Sequence, residues 1–343
     1  MTPTQMISTP SRLTALLLAG ALALLAGCGR APSSTATAEA PQVAQVAGWP
    51  RSVVTSKGTL TLERPPQRIV STSVTLTGTL LAIDAPLAGS GATQANTTIA
   101  DAQGFFTQWS DVARARGLEP LYQGEPNAEA IAAAEPDLIV IAGTGGDSAL
   151  KLYEQLSQVA PVLVVNYDDK SWQELATLLG HATGREAEAK ALIARFEAQV
   201  AATRARLRLP PQPTSALVYY EDDSGANVWT PESAQGKLLT ELGFQLAAVP
   251  DSVRGDTSMG IRRDIVQISG ERFAEGLQGR TLLLFSADAR MVRQVKANRF
   301  LARNPAVAEG RVYAMGLDTF RLDYYSSSRL LDLLAKEFGA AAQ

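Results

Sequence analysis

The sequence predicts an α/β fold of two lobes joined by one long α-helix. Short Val-, Ile- and Leu-rich runs alternate with amphipathic stretches, the alternation occurs twice, and one uninterrupted helical pattern separates the two sets. In the first set, strands are expected at 68–71, 87–90, 138–142 and 161–166, with helices at 76–83, 127–134 and 148–159. The second set follows Pro210-Pro211, with strands at 215–220, 228–230, 281–285 and 312–315 and helices at 234–242, 292–302 and 326–338. Between them, residues 184–209 contain no proline and carry one apolar stripe, Ala189, Leu192, Phe196, Val200, Thr203 and Leu207, spaced three or four apart. Thr183 with Glu186 reads as the capping box that starts this helix, and Pro210 stops it. The expected domains are an N-terminal lobe at 51–183, the linking helix at 184–209 and a C-terminal lobe at 210–343. A rigid helix between two lobes leaves a cleft suited to holding a ligand.

Ahead of the lobes, Arg12 is the only charged residue before an apolar run from 13 to 26, which ends in Leu25-Ala26-Gly27-Cys28. A run this short falls below the ~20 residues that span a bilayer, and its order is that of a removable export signal. Leu-Ala-Gly-Cys resembles the lipobox of bacterial lipoproteins. Residues 1–27 are therefore expected to be a signal, with Cys28 acylated as the new N-terminus and the protein anchored in the cell envelope, outside the cytoplasm. Residues 28–50, rich in Ala, Ser, Thr, Pro and Gln, read as a flexible lipidated leash.

Removal of the signal leaves 316 residues, enough for two domains, and moves the formal charge from −3 to −4. That balance, without a long basic run, offers no general affinity for nucleic acid. Cys28 is the only cysteine and His181 the only histidine, so neither a disulfide framework nor a soft-metal cluster is available. His181 reads as a surface or capping residue at a helix junction. No Walker-A, Gly-x-Gly-x-x-Gly, Gly-x-Ser-x-Gly or His-Glu-x-x-His pattern occurs. No nucleophile and base stand together, so the chain does not read as an enzyme. Gly143-Thr144-Gly145-Gly146-Asp147-Ser148 follows a strand and opens a helix. Its amides could receive an anion, but such turns more often meet only a geometric need.

Several segments together resemble the iron-siderophore binding proteins of bacterial ABC importers. Pro66-Gln67-Arg68-Ile69-Val70-Ser71 is similar to that family's opening strand, and Asn127-Ala128-Glu129-Ala130-Ile131 with Glu135-Pro136-Asp137-Leu138-Ile139-Val140 to its helix-into-strand unit. Ser71-Thr72-Ser73-Val74-Thr75-Leu76-Thr77-Gly78, the Gly143 turn, Asn166-Tyr167-Asp168-Asp169-Lys170-Ser171-Trp172, Trp229-Thr230-Pro231-Glu232-Ser233-Ala234-Gln235-Gly236 and Thr319-Phe320-Arg321-Leu322-Asp323-Tyr324-Tyr325-Ser326 narrow the likeness to the branch that binds ferric enterobactin. The resemblance implies the helical-backbone (class III) type of periplasmic binding fold and a ferric catecholate ligand. In that ligand the chelator already fills iron's six positions, so no cofactor and no protein ligand to the metal are required.

A compact trianion with outward-facing rings asks for guanidinium donors and aromatic covers. Arg321, between Phe320 and Tyr324-Tyr325, is the best charge candidate, with an ion pair to Asp318 or Asp323 as the plain alternative. Trp229 is the candidate stacking ring, with a core anchor as its alternative. Arg262 and Arg263 are candidates for the ligand rim. Residues 92–101 are expected to form a further cleft loop, in which Thr98 stands where the family pattern has an arginine. Glu129 and Glu232, each read as the second residue of a helix capped by Asn127 or Thr230, with Pro231 at N1 in the latter, match the resemblance's one glutamate per lobe that docks on the permease. The helix dipole favours acids at such positions in any case. Other cargoes on the same fold are haem, cobalamin or a hydroxamate chelate; haem would call on Tyr219-Tyr220 or Tyr324-Tyr325. A secreted siderophore esterase is the reading from another class.

Overall fold

A computed structural model of the protein describes residues 48–254, 263–270 and 272–339. The expected export signal, Cys28 and Arg262 lie outside the described residues. A hairpin, β1 (Arg51–Thr55) and β2 (Gly58–Leu62), precedes the first lobe. That lobe runs β3 (Ile69–Ser71), α1 (Val74–Ala82), β4 (Leu87–Ala92), α2 (Ser110–Ala115), β5 (Pro120–Gln123), α3 (Ala128–Ala133), β6 (Leu138–Ala142), α4 (Tyr153–Leu156), β7 (Val162–Val165) and α5 (Trp172–Thr183). Its five strands are all parallel in the order β5-β4-β3-β6-β7. With helices on both faces, a central strand such as β6, Leu-Ile-Val-Ile-Ala, is apolar throughout and wholly buried.

The linking helix α6 (Glu186–Arg206) buries Ala189, Leu192, Phe196, Val200 and Thr203, the stripe expected from spacing. Its 21 residues span roughly 31 Å at 1.5 Å each. The second lobe runs β8 (Thr214–Tyr219), β9 (Gly225–Trp229), α7 (Ala234–Glu241), β10 (Ile265–Ser269), β11 (Thr281–Leu284), α8 (Ala289–Ala297), α9 (Pro305–Ala308), β12 (Val312–Ala314) and α10 (Tyr324–Phe338). Its sheet is mixed, β10-β9-β8-β11-β12, with β9 antiparallel to both neighbours. One apolar cluster runs from the hairpin through α5 and α6 into α10, so the two lobes share a core across the linking helix.

The start of the linking helix differs from expectation. Thr183 is the last residue of α5, where its hydroxyl donates to Leu179 O at 2.7 Å, and Gly184 at φ 75° ends that helix. The capping box in this region belongs to Ser171 and Glu174, which start α5, and α6 begins at Arg185 without a side-chain cap. His181 sits half-exposed in the last turn of α5, and its carbonyl accepts Arg51 Nη1 at 2.5 Å. Trp49, placed in the leash by composition, is 8% exposed in the core cluster with the Arg51 guanidinium 4.4 Å above its ring. Residues 148–159 form a short 3-10 turn and α4 rather than one helix.

Candidate ligand cleft between the lobes

A cleft of about 500 Å³ lies between the lobes. The first lobe lines it with Thr75 and Thr79 of α1, Phe106, Gln108 and the loop from Tyr167 to Ser171; the second contributes Trp229, Glu232 to Gln235, Lys237, Arg263, Asp264 and the turn from Phe320 to Asp323. The two loops correspond: one follows β7, the other β12, each the last parallel strand of its sheet and each at a carboxyl end, where open α/β sheets bind ligands.

In the first lobe the loop after β7 is braced from within. Tyr167, 5% exposed, donates its hydroxyl to Asp147 Oδ1 at 2.8 Å. The other oxygen of Asp147 accepts Ser73 Oγ at 2.5 Å and Thr75 N at 3.0 Å, at the N-terminus of α1 where a carboxylate complements the helix dipole. Burial, followed by the Asp147 charge, pushes the Tyr167 phenol well above its ordinary pKa, so it stays a donor at physiological pH. A Cβ on Gly145 (φ 89°) would collide with the Tyr167 hydroxyl. The glycine-rich turn is therefore explained by close approach and by its delivery of Asp147 to α1.

In the second lobe, buried Gln235 donates to the carbonyls of Thr319 and Phe320 at 3.1 and 2.7 Å, fixing the turn that presents Phe320 and Arg321. Phe320 is 39% exposed, a ring free to cover an apolar ligand face. Trp229 lines the cleft but is only 4% exposed, and it meets Phe320 edge-on at 5.7 Å, so it backs the exposed ring. Tyr324 is not among the lining residues; it packs edge-on against Trp172 and Tyr325 at 5.6 and 5.3 Å. The exposed Arg263 lines the cleft, and its carbonyl accepts Thr230 Oγ1 at 2.5 Å, which ties it to the end of β9. Residues 92–101, Thr98 included, do not line the cleft; Phe106 and Gln108 take that place.

Arg321 pairs with neither Asp318 nor Asp323. Its Nη1 lies 3.2 Å from Asp168 Oδ1 across the cleft, and its guanidinium stands 4.5 Å above the Tyr167 ring. Asp318 pairs instead with Arg329 at 3.3 Å. Asp323 caps α10 in a reciprocal box with Ser326 and accepts Gln108 Nε2 from the opposite lobe at 3.4 Å. Burial pushes the Asp323 carboxyl above the usual range. Beneath it Gly78 of α1 brings the lobes together: a Cβ there would sit 2.8 Å from both Asp323 Oδ2 and Trp109 Cδ1. Lys170, Asp168, Gln108 and Gly78, all absent from the sequence-derived site, had signals only in the family-like segments or none at all.

Glu129 is exposed at the second position of α3, capped by Asn127 through Ala130 N at 2.9 Å. Glu232 is also exposed, but it precedes its helix: Ser233 is the N-cap of α7, Pro231 is not in the first turn, and Thr230 closes only a local turn. The two glutamates are not equivalent, since Glu232 lines the cleft and Glu129 does not. Among the described residues, no helix is long and apolar enough to cross a membrane.

The periplasmic binding protein family matches residues 69–319. The chain is 56% identical over 294 residues to the ferric enterobactin-binding periplasmic protein FepB of Escherichia coli O6:H1, covering 86% of this chain and 92% of that protein. Its fold superposes on the crystal structure of holo-ViuP with a TM-score of 0.76 at 32% identity, covering 85% and 96% of the two chains. Bacillus subtilis FeuA, solved with ferri-bacillibactin, shares the fold at a TM-score of 0.60 and 17% identity, covering 83% and 97%. With a matched family, one parallel and one mixed α/β lobe joined by a helix and a cleft between them, the chain belongs to the periplasmic binding proteins.

Proposed function

We propose that the protein is the substrate-binding component of an ABC importer, one that captures a ferric catecholate siderophore of the enterobactin type and delivers it to the membrane permease for iron uptake. The observation that carries this reading is the pairing of an exposed ring, Phe320, with a cleft-facing guanidinium, Arg321, opposite Lys170 of the other lobe. Catecholate oxygens take charged, planar donors, and catechol faces take aromatic cover. The likeness to FepB supports the ligand class. The iron travels as cargo inside its chelator, so the protein supplies donors and shape rather than metal ligands.

Tryptophan fluorescence titrated with ferric tricatecholate, ferric trihydroxamate, cobalamin and haem tests the assignment. Saturable quenching by the tricatecholate at the lowest concentration is expected; tighter binding of any of the others would replace it. Anchorage through acylated Cys28 is part of the same proposal. Cys28→Ser should move the protein from the membrane to the soluble fraction, and a variant that still sediments with membranes would refute the anchor. Delivery is assigned to permease contacts through Glu129 and Glu232. Because Glu232 lines the cleft, its substitution reports on ligand affinity as well, whereas Glu129 isolates docking.

A further inference from the structure

We propose that Asp168 is a specificity-determining residue that stands in for the ligand, occupying Arg321 while the cleft is empty and giving way to a polyanionic chelate. The proposal rests on the reading of this cleft as a catecholate site. Asp168 and Arg321 come from opposite lobes, 153 residues apart, and meet at 3.2 Å. Their side chains are 44% and 41% exposed, so the pair is solvated and separates at small cost. Arg321 also rests on the Tyr167 ring, and Tyr167 is held by Asp147. The guanidinium therefore keeps its position when Asp168 swings away, and capture becomes an exchange of one anion for another at a fixed cation.

The same loop repeats the device one residue on, where Asp169 holds Lys170 at 2.6 Å. Among the described residues the cleft is lined by four cations, Lys170, Lys237, Arg263 and Arg321, and by five carboxylates. Such a cleft gives little to a neutral chelate. A singly charged anion that replaces Asp168 on Arg321 swaps like for like. A trianion displaces Asp168 and still has charge for Lys170, Lys237 and Arg263, so the stand-in carboxylate favours ligands carrying several charges. It also gives Arg321 a partner when the ligand leaves, which eases release.

The test is a double-mutant cycle of Asp168→Asn and Arg321→Ala on the full chain, read by fluorescence titration and stopped-flow with a ferric tricatecholate, and by competition with inorganic phosphate. D168N should bind the tricatecholate about three- to fivefold more tightly, mostly through slower dissociation, because a competing anion worth up to about 1 kcal/mol in an exposed pair has been removed. Phosphate should compete at lower concentration in D168N than in the parent, and both gains should vanish when Arg321 is also replaced. A D168N variant that binds no better than a binding-competent parent, or a gain that survives in the double variant, overturns this proposal alone. A parent that binds no ferric tricatecholate overturns the functional reading and this proposal with it.

Discussion

The loops after β7 and β12 occupy matching places in the two lobes and bring opposite chemistry to the cleft. The first carries Asp168 and Asp169, with Lys170 held by the latter, and is braced by a side chain: Tyr167 reaches down to Asp147, which is itself fastened to the N-terminus of α1. The second carries Phe320 and Arg321 and is held through its backbone, by Gln235 on two consecutive carbonyls, so neither side chain is needed to hold the turn. Similar topology thus gives a counter-charge on one side and a receiving surface on the other. Without Asp168 and Asp169, Lys170 of the first loop and Arg321 of the second would each lose a paired carboxylate and repel across the cleft.

The contrast is sharpest at Arg321. Arg321→Ala should weaken ferric tricatecholate binding by one to two decades, since loss of a charged hydrogen-bonding partner costs ~1.5–3 kcal/mol. Its melting temperature should stay close to the parent's, as befits a half-exposed ion pair. Parent-like affinity would make Arg321 a structural tie between the lobes. Gly78→Ala comes next. Helices ordinarily gain from Ala over Gly, but here the added Cβ meets the Asp323 carboxylate and the Trp109 ring, so overpacking should cost about 1–3 kcal/mol. A variant as stable as the parent would show that the floor of the cleft yields.

Much of this organisation was legible locally. The strand at 138–142 and the buried stripe of α6 follow from apolar spacing, because each packs one continuous surface. The hairpin β1–β2, the edge strands β5 and β10, and α5 were missed. The hairpin and edge strands are short and half-exposed, with weak alternation. For α5, two Ser/Thr-x-x-Glu motifs stand twelve residues apart, and only the αL conformation of Gly184 decides which one starts a helix. Site residues divided in the same way. Arg321 and Phe320 were found by residue type in a family-like segment. The pairing of Arg321 with Asp168, the burial of Trp229 and the place of Glu232 ahead of α7 depend on contacts distant in sequence or on which neighbouring hydroxyl caps.

Two smaller effects refine the comparison. Asp323→Asn keeps a capping acceptor but removes a carboxyl whose pKa is raised by burial. A raised carboxyl pKa means that the folded state binds the proton more tightly than the unfolded chain. The parent should therefore lose stability as pH rises from the unfolded value, about 3.9, through the folded one. D323N should melt at or above the parent at pH 7, with the gap closing on acidification below pH 4. A variant less stable at neutral pH than at pH 4, relative to the parent, would show that the charge stabilises the interlobe contact. The smallest biophysical change is expected for Glu129→Gln: unchanged affinity and melting temperature, with lower iron uptake in cells, because charged contacts govern encounter and orientation more than affinity. Normal uptake at normal expression would remove Glu129 from docking.

The meeting of Gly78 with Asp323 has a mechanical consequence. Helices α1 and α10 approach there too closely for a side chain to stand between them. The same region belongs to an apolar cluster that continues through α5 and α6 into α10. Drawing the lobes apart would therefore expose a shared core to water, so the burial that stabilises the fold also resists wide opening of the cleft.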